Sequence, residues 1–215
     1  MDQAPKKRKG FFITFEGLEG AGKSVQAGLL GSRLREMGYT IVATREPGGT
    51  RIGEQIRTIT HNPENVDLTG VTEAYLMAAS RAQHVREIIK PALEEGKIVI
   101  SDRYLDSSIA YQGFGREMGE ESIYHLNTMA VEGIIPHLTI ILAVSPEVGI
   151  GRRNSSQKVD RLDLQQRAFY DRVQAGYEIL AQKNPHRIRL VDGSKSINEV
   201  AMMVWEVVKP HLPHL

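Results

Sequence analysis

The chain has 215 residues, of which 41% are hydrophobic and 25% charged, with a formal net charge of +1. That length suits one domain with a sizeable core, and the near-neutral balance gives no sign of a dedicated surface for a nucleic-acid polymer. Cysteine is absent, which excludes disulfides and thiolate metal sites and fits a reducing, cytoplasmic setting; no apolar run approaches the ~20 residues of a membrane span, and no secretory signal is visible.

Residues 1–10 carry Pro5-Lys6-Lys7-Arg8-Lys9, read here as a solvated basic tail rather than a nuclear-import cluster. Residues 11–215 read as one domain without repeats or linkers. Phe11–Phe15 is an apolar, β-prone run that predicts a buried first strand. It leads into Gly17-Leu18-Glu19-Gly20-Ala21-Gly22-Lys23-Ser24, two glycines four residues apart followed by Lys and Ser. In this P-loop pattern backbone amides converge on phosphate oxygens, and the next helix adds its positive end. Lys23 is expected at the β/γ-phosphates and the Ser24 hydroxyl on Mg²⁺. Leu29, Leu30, Leu34 and Met37 recur at helical spacing, and Gly38 sits where a glycine would stop that helix.

A second strand is predicted over Thr40–Thr44, then the loop Arg45–Thr50 and a short helix near Ile52–Ile59. A long helix is expected from about Thr72 to Glu95, closed by Gly96. A third strand, Ile98–Ser101, ends at Asp102-Arg103-Tyr104, and helices follow near Asp106–Gln112 and Glu120–Glu132. Leu138–Val144 reads as a fourth strand. Ser145 and Pro146 then read as N-cap and first residue of a helix. The cationic stretch Arg152–Arg161 looks like a mobile lid, and a helix follows from about Leu162 to Lys183. The last strand is predicted over Arg187–Val191, and Ser196 with Glu199 predicts a capping box. Strands separated by helices imply a parallel sheet covered on both faces, with ligands at the carboxyl ends of its strands. The expected fold is a three-layer α/β P-loop NTPase fold with five parallel strands and a short lid at about 152–161. Arg45, Arg57, Arg81 and Arg103 are its candidate phosphate-binding cations, and Asp102 is placed to reach Mg²⁺ directly or through water.

Together these pieces resemble the thymidylate kinase family, in its bacterial form, over almost all of the chain after the tail. The resemblance rests on Phe15–Ser24, Thr44–Thr50, Ala78–Val85, Ser101–Tyr104, Ser107–Gly113 and Asp160–Asp163, in this order and at these separations. It implies ATP- and Mg²⁺-dependent phosphorylation of dTMP to dTDP, and a homodimer for which Ala74, Met77, Ala78 and Val85 are available unless the core takes them. ATP phosphates would lie along Gly17–Val25. Arg57 and Arg103 would hold the dTMP phosphate. Arg81, with Ser108 and Gln112, would meet the thymine edge. Tyr111 would pack beneath the deoxyribose, with Glu19 and Glu46 near the sugar 3′-OH and the Mg²⁺ waters. The chain departs from the family pattern at three points. Met77 stands where a stacking Phe is usual. Ser24-Val25 replaces Thr-Thr, with Val25 expected to pack. Ser156-Gln157-Lys158 lacks the usual arginine before Asp160-Arg161, so the catalytic lid cation is Arg153, Lys158 or Arg161. A regulatory nucleotide-binding ATPase or a kinase for another nucleoside monophosphate would share the P-loop; the arginine cluster and Tyr111 have no purpose in a simple hydrolase.

Overall fold

A computed structural model describes residues 10–154, 161–162 and 165–213. Five strands, β1 (Phe11–Glu16), β2 (Ile41–Arg45), β3 (Ile98–Asp102), β4 (Leu138–Ala143) and β5 (Ile188–Asp192), form one sheet in the order β2-β3-β1-β4-β5. Every neighbouring pair is parallel. Among the described residues this is the α/β architecture expected from the alternation of strands and helices. β1 lies in the middle and is buried on both faces, which is why it reads as an unbroken apolar run.

Register brings the functional rim together. Phe15 lies opposite Asp102, and Asp102 opposite Arg45, so the P-loop and the loops after β2 and β3 leave the same edge. The helices are α1 (Lys23–Glu36), α2 (Arg51–His61), α3 (Gly70–His84), α4 (Lys90–Glu94), α5 (Leu105–Ser108), α6 (Glu120–Val131), α7 (Pro146–Asn154), α8 (Arg167–Lys183) and α9 (Ile197–Val208). The predicted helix over 72–95 is α3 and α4 joined through a π-turn, Val85–Ile89. A second π segment, Ile109–Gly115, continues α5 and carries Tyr111 and Gln112. The capping box of α9 is present.

Four details correct the reading of the sequence. In α1 the buried face is Ala27, Leu30, Gly31 and Leu34, whereas Leu29 and Met37 face outward. The last strand runs over Ile188–Asp192, one residue later than expected, and the Arg187 side chain just before it pairs with Asp106. Helix α8 begins at Arg167, since Leu162 forms a buried turn that accepts from Gln165 N and Tyr170 OH. Ala74, Ala78 and Val85 belong to the core, so they are not free to meet another copy.

Candidate functional site

The P-loop is held open by its glycines. Gly17, Gly20 and Gly22 all have positive φ. A Cβ on Gly20 would lie 2.2 Å from the carbonyl oxygen of Gly149, so α7 packs directly onto the loop. Gly22 caps α1 in the left-handed region, which aims the first amides of that helix at the loop mouth. Lys23 is buried and its Nζ donates to Leu18 O at 2.8 Å. Burial, followed by the nearby Arg103 charge, lowers its pKa to about 8. The Ser24 hydroxyl donates to the Asp102 carboxylate. A hydroxyl beside a carboxylate at the edge of a phosphate loop is a hard-oxygen donor set of the kind Mg²⁺ prefers. No group of three or more acidic, His or Cys side chains suited to a metal occurs among the described residues.

Arg103 follows β3 with φ 73°, a left-handed conformation that is strained for a residue with a side chain. Its backbone N–H is fixed on Phe15 O at 2.9 Å. The guanidinium donates to Gly17 O at 2.9 Å, Ser107 Oγ at 3.1 Å, Glu19 Oε1 at 2.7 Å and Tyr111 OH at 3.1 Å, and it lies 4.8 Å from the Tyr111 ring centre. Tyr111 OH donates to Glu19 Oε2 at 2.6 Å. Burial works against the charge of Glu19, but Arg103, Lys23 and the Tyr111 hydroxyl together hold its carboxyl below the usual range. Beneath this group Glu16 is fully buried and accepts from Tyr104 N, Ser107 Oγ and Tyr177 OH. Burial, then the charge of Asp106, raises its pKa.

Two cavities meet at these residues. The first is lined by Glu19, Glu46, Pro47, His61, Met77, Arg81, Arg103, Tyr104, Ser107, Ser108, Tyr111, Gln112 and Leu162. The second is lined by Glu19, Gly20, Lys23, Ser24, Arg45, Glu46, Arg57, His61, Asp102 and Arg103. Arg81 is buried, pairs with Glu46 at 2.8 Å, and donates to Ser108 Oγ at 3.0 Å and Tyr104 O at 2.9 Å. Its Nε has no hydrogen-bond partner among the described residues. Glu46 is also held by His84 Nδ1 at 2.9 Å, and His84 Nε2 meets Thr44 Oγ1 at 2.6 Å. Arg57 donates to Pro47 O at 3.1 Å, which ties α2 to the loop after β2. Met77, Ser108 and Gln112 also line the first cavity.

A third cleft, about 320 Å³, opens on the other side of the P-loop between Gly20, Ala21, Gly22, Val25, Gln26, Arg152, Gly193, Lys195, Ser196, Ile197 and Val200. Val25 does not pack into the core; it is half-exposed on the wall of this cleft. Gly193 and Lys195 were not singled out from the sequence, although the rule that placed the other loops at strand ends covers them equally well.

Glu73, also missed, is a hub behind Gln112, a lining residue of the first cavity. It is fully buried and accepts from Gln112 Nε2 at 2.7 Å, Arg116 Nη2 at 3.0 Å and Arg161 Nη2. Burial opposes its charge, yet Arg116, Arg161 and Gln112 hold its pKa below the ordinary value. The signal was spacing: Glu73, Met77 and Arg81 are four residues apart and share one helix face. Of the three lid cations, Arg161 is thus engaged in a buried pair and lines neither of the two meeting cavities. Lys158 and the side chain of Arg153 lie outside the described residues.

A phosphate loop after the central strand of a β2-β3-β1-β4-β5 sheet, flanked by cavities lined with arginine, defines a P-loop nucleotide-binding protein. Residues 15–204 match the sequence model of the family described as thymidylate kinase. Curated relatives of that name include one from Geobacillus thermodenitrificans, 46% identical over 89% of this chain and 86% of its own length. Another, from Symbiobacterium thermophilum, is 45% identical over 94% of each. The crystal structure of thymidylate kinase from Ehrlichia chaffeensis superposes with a TM-score of 0.77 at 35% identity, covering 94% of this chain and 99% of that one. The chain belongs to the thymidylate kinase family.

Proposed function

We propose that the protein transfers the γ-phosphoryl group of MgATP to the phosphate of dTMP, giving dTDP and ADP. The observation that carries this reading is the meeting of two cavities at Glu19, Glu46, His61 and Arg103, beside Lys23 and Ser24. The first cavity suits the acceptor nucleoside. Arg81, with its unsatisfied buried Nε, would meet the polar edge of thymine beside Ser108 and Gln112, Met77 would cover the ring, and Tyr111 would crowd a 2′-hydroxyl. Arg57 and Arg103 would grip the acceptor phosphate, with Glu19 and Glu46 close to the sugar. Gly17, Leu18, Glu19, Gly20, Ala21, Gly22, Lys23, Ser24 and Val25 would hold the donor, with its base in the third cleft.

Ser24 and Asp102, directly or through water, would hold Mg²⁺, which when bound neutralises phosphate charge. An ionised oxygen of the acceptor phosphate forms the new bond to the γ-phosphorus while the bond to the ADP oxygen breaks, so no general base is required. Lys23 and Arg103 offset the charge on the moving group, aided by a lid cation from residues 152–161. With Arg161 occupied by Glu73, Arg153 or Lys158 is the lid cation this reading favours.

The homodimer implied by the family is proposed through α2, α3 and α6, which leave Ile59, Val71, Tyr75, Tyr124 and Met129 exposed; sedimentation at twice the chain mass is the expected result. Among the described residues no helix is long and apolar enough to cross a membrane, and the absence of cysteine supports a cytoplasmic setting. The central test is ADP release measured across dTMP, dUMP, dCMP, CMP and AMP, with and without Mg²⁺. dTMP should give the highest kcat/KM and CMP and AMP should fail. ATP loss at the same rate without an acceptor would refute the reading in favour of a regulatory ATPase.

A further inference from the structure

His61 is the last residue of α2 and has no part in the transfer chemistry so far, yet it is one of four residues lining both meeting cavities. Its position is fixed. Its ring Nδ1 lies 3.0 Å from Thr60 Oγ1, and its carbonyl accepts from Arg161 N at 3.1 Å. The Thr60 hydroxyl is within 3.1 Å of Ile56 O and 3.2 Å of Arg57 O, to which it donates. A hydroxyl that gives its one proton to a helix carbonyl accepts from Nδ1–H, so the neutral ring keeps its lone pair on Nε2. The charged groups around the ring come from every neighbouring element. Arg57 lies on its own helix, Glu19 on the P-loop, Arg103 after β3 and Arg161 at the lid's end. Glu46, Asp102, Lys23 and Arg45 share the second cavity with it, and Arg81 shares the first. Burial first, then Arg57 and Arg103, lowers the imidazole pKa to about 4, so the ring is neutral near pH 7 without ligand.

We propose that His61 is a proton-coupled ligand of the acceptor's phosphate, taking up a proton at Nε2 when that phosphate enters the junction of the two cavities. The proton comes from solvent or from the monoprotonated phosphate ester itself, and no other bond changes. A dianion there offsets the charges of Arg57 and Arg103, which otherwise repel an imidazolium, and adds opposite charge beside the ring. Opposite charge within about 4–6 Å raises the pKa of a base by about 1–3 pH units, which would carry His61 from about 4 toward neutrality. Arg57 and Arg103 would then be joined by a third cation whose charge exists only with acceptor bound. This rests on the acceptor site assigned under the proposed function.

Calorimetry of dTMP binding in buffers of different ionisation enthalpy counts the protons taken up. The intact protein should take up a fraction of a proton between pH 6 and 7 that H61Q does not, and thymidine, which lacks the phosphate, should cause no uptake in either. The dTMP affinity of the intact protein should weaken several-fold more than that of H61Q from pH 6 to 8; titration of the ester itself is common to both. The His61 Cε1–H resonance of the unaltered protein gives a second reading that no folding defect can disturb. Its titration should move upward by at least one pH unit on adding dTMP. Equal proton counts in both proteins, or an unmoved resonance despite bound dTMP, overturn the proposal while leaving the acceptor site standing. Failure of dTMP to bind either protein overturns the acceptor site, and this proposal with it.

Discussion

Replacing Glu73 by Gln should destabilise the protein by about 3 kcal/mol, near the lower end of the ~3–5 kcal/mol expected when one member of a buried charge pair is removed. Glu73 is completely inaccessible and Arg161 is only 4% exposed, so nearly the full penalty of an uncompensated guanidinium applies there. Two features limit the loss. Arg161 Nε keeps Thr60 O at 3.0 Å, and Arg116 keeps Gln165 Oε1 at 2.9 Å and its position 5.0 Å from the Phe169 ring. For a chain of this size each kcal/mol corresponds to about 2–4 °C, so Tm should fall by about 6–12 °C. Urea unfolding near neutral pH measures the energy directly. The pH dependence has a definite sign. The Glu73 pKa is lowered by folding, so its contribution is complete above the ordinary carboxylate range and disappears as pH falls through the folded value. The gap between the two proteins should therefore narrow in acid. Since Arg161 also fastens the end of the lid segment to α2, the acceptor KM should rise with the loss of stability. A variant within about 0.5 kcal/mol of the parent would show that the Arg116–Glu73–Arg161 cluster is not a structural anchor.

Arg103→Ala should reduce kcat by at least ~10³-fold, the scale on which an arginine stabilises phosphoryl transfer; steady-state rates with unchanged circular dichroism check this, and near-normal turnover would displace the phosphate site. Lys23 loses its charge as pH rises through about 8, so in the free enzyme ATP affinity should weaken on that limb, and Lys23→Met should abolish the dependence as read by equilibrium ATP binding. Glu16 has a pKa raised by burial and Asp106, so the native state holds a proton that the unfolded chain releases. Stability is then complete in acid and declines as pH rises above about 4.5 toward the folded value; denaturation of Glu16→Gln across pH 5–8 should give a flatter profile.

The rim was legible because its residues are tied to strand ends. Phe11–Phe15, Ile98–Ser101 and Leu138–Val144 announce their strands by composition, and the loop leaving each strand must lie at one edge of a parallel sheet. The hidden features depend on cross-chain geometry. The π segment Ile109–Gly115 arises where the helix must fit against α8, and a Cβ on Gly115 would stand 2.6 Å from Phe169, a constraint set 54 positions away. Val25 and Leu29 are apolar, but the core takes only one stripe of α1, and theirs is the other. Arg161 reads as a free cation in the sequence because its partner, Glu73, is 88 positions distant. His61 was passed over for the same reason: a histidine at a helix end has no meaning until two cavities are seen to share it.

The backbones of Gly20 and Gly149 touch with no space for even a methyl group, and a Cβ on Gly149 would sit 2.6 Å from Glu19 O. Neither position tolerates exchange alone, and changing both would compound the collision, so drift is barred at each by the other. The root of α7 is consequently bolted to the glycine-rich loop. Displacement of α7 relative to the loop is therefore opposed at its first turn, where backbone meets backbone.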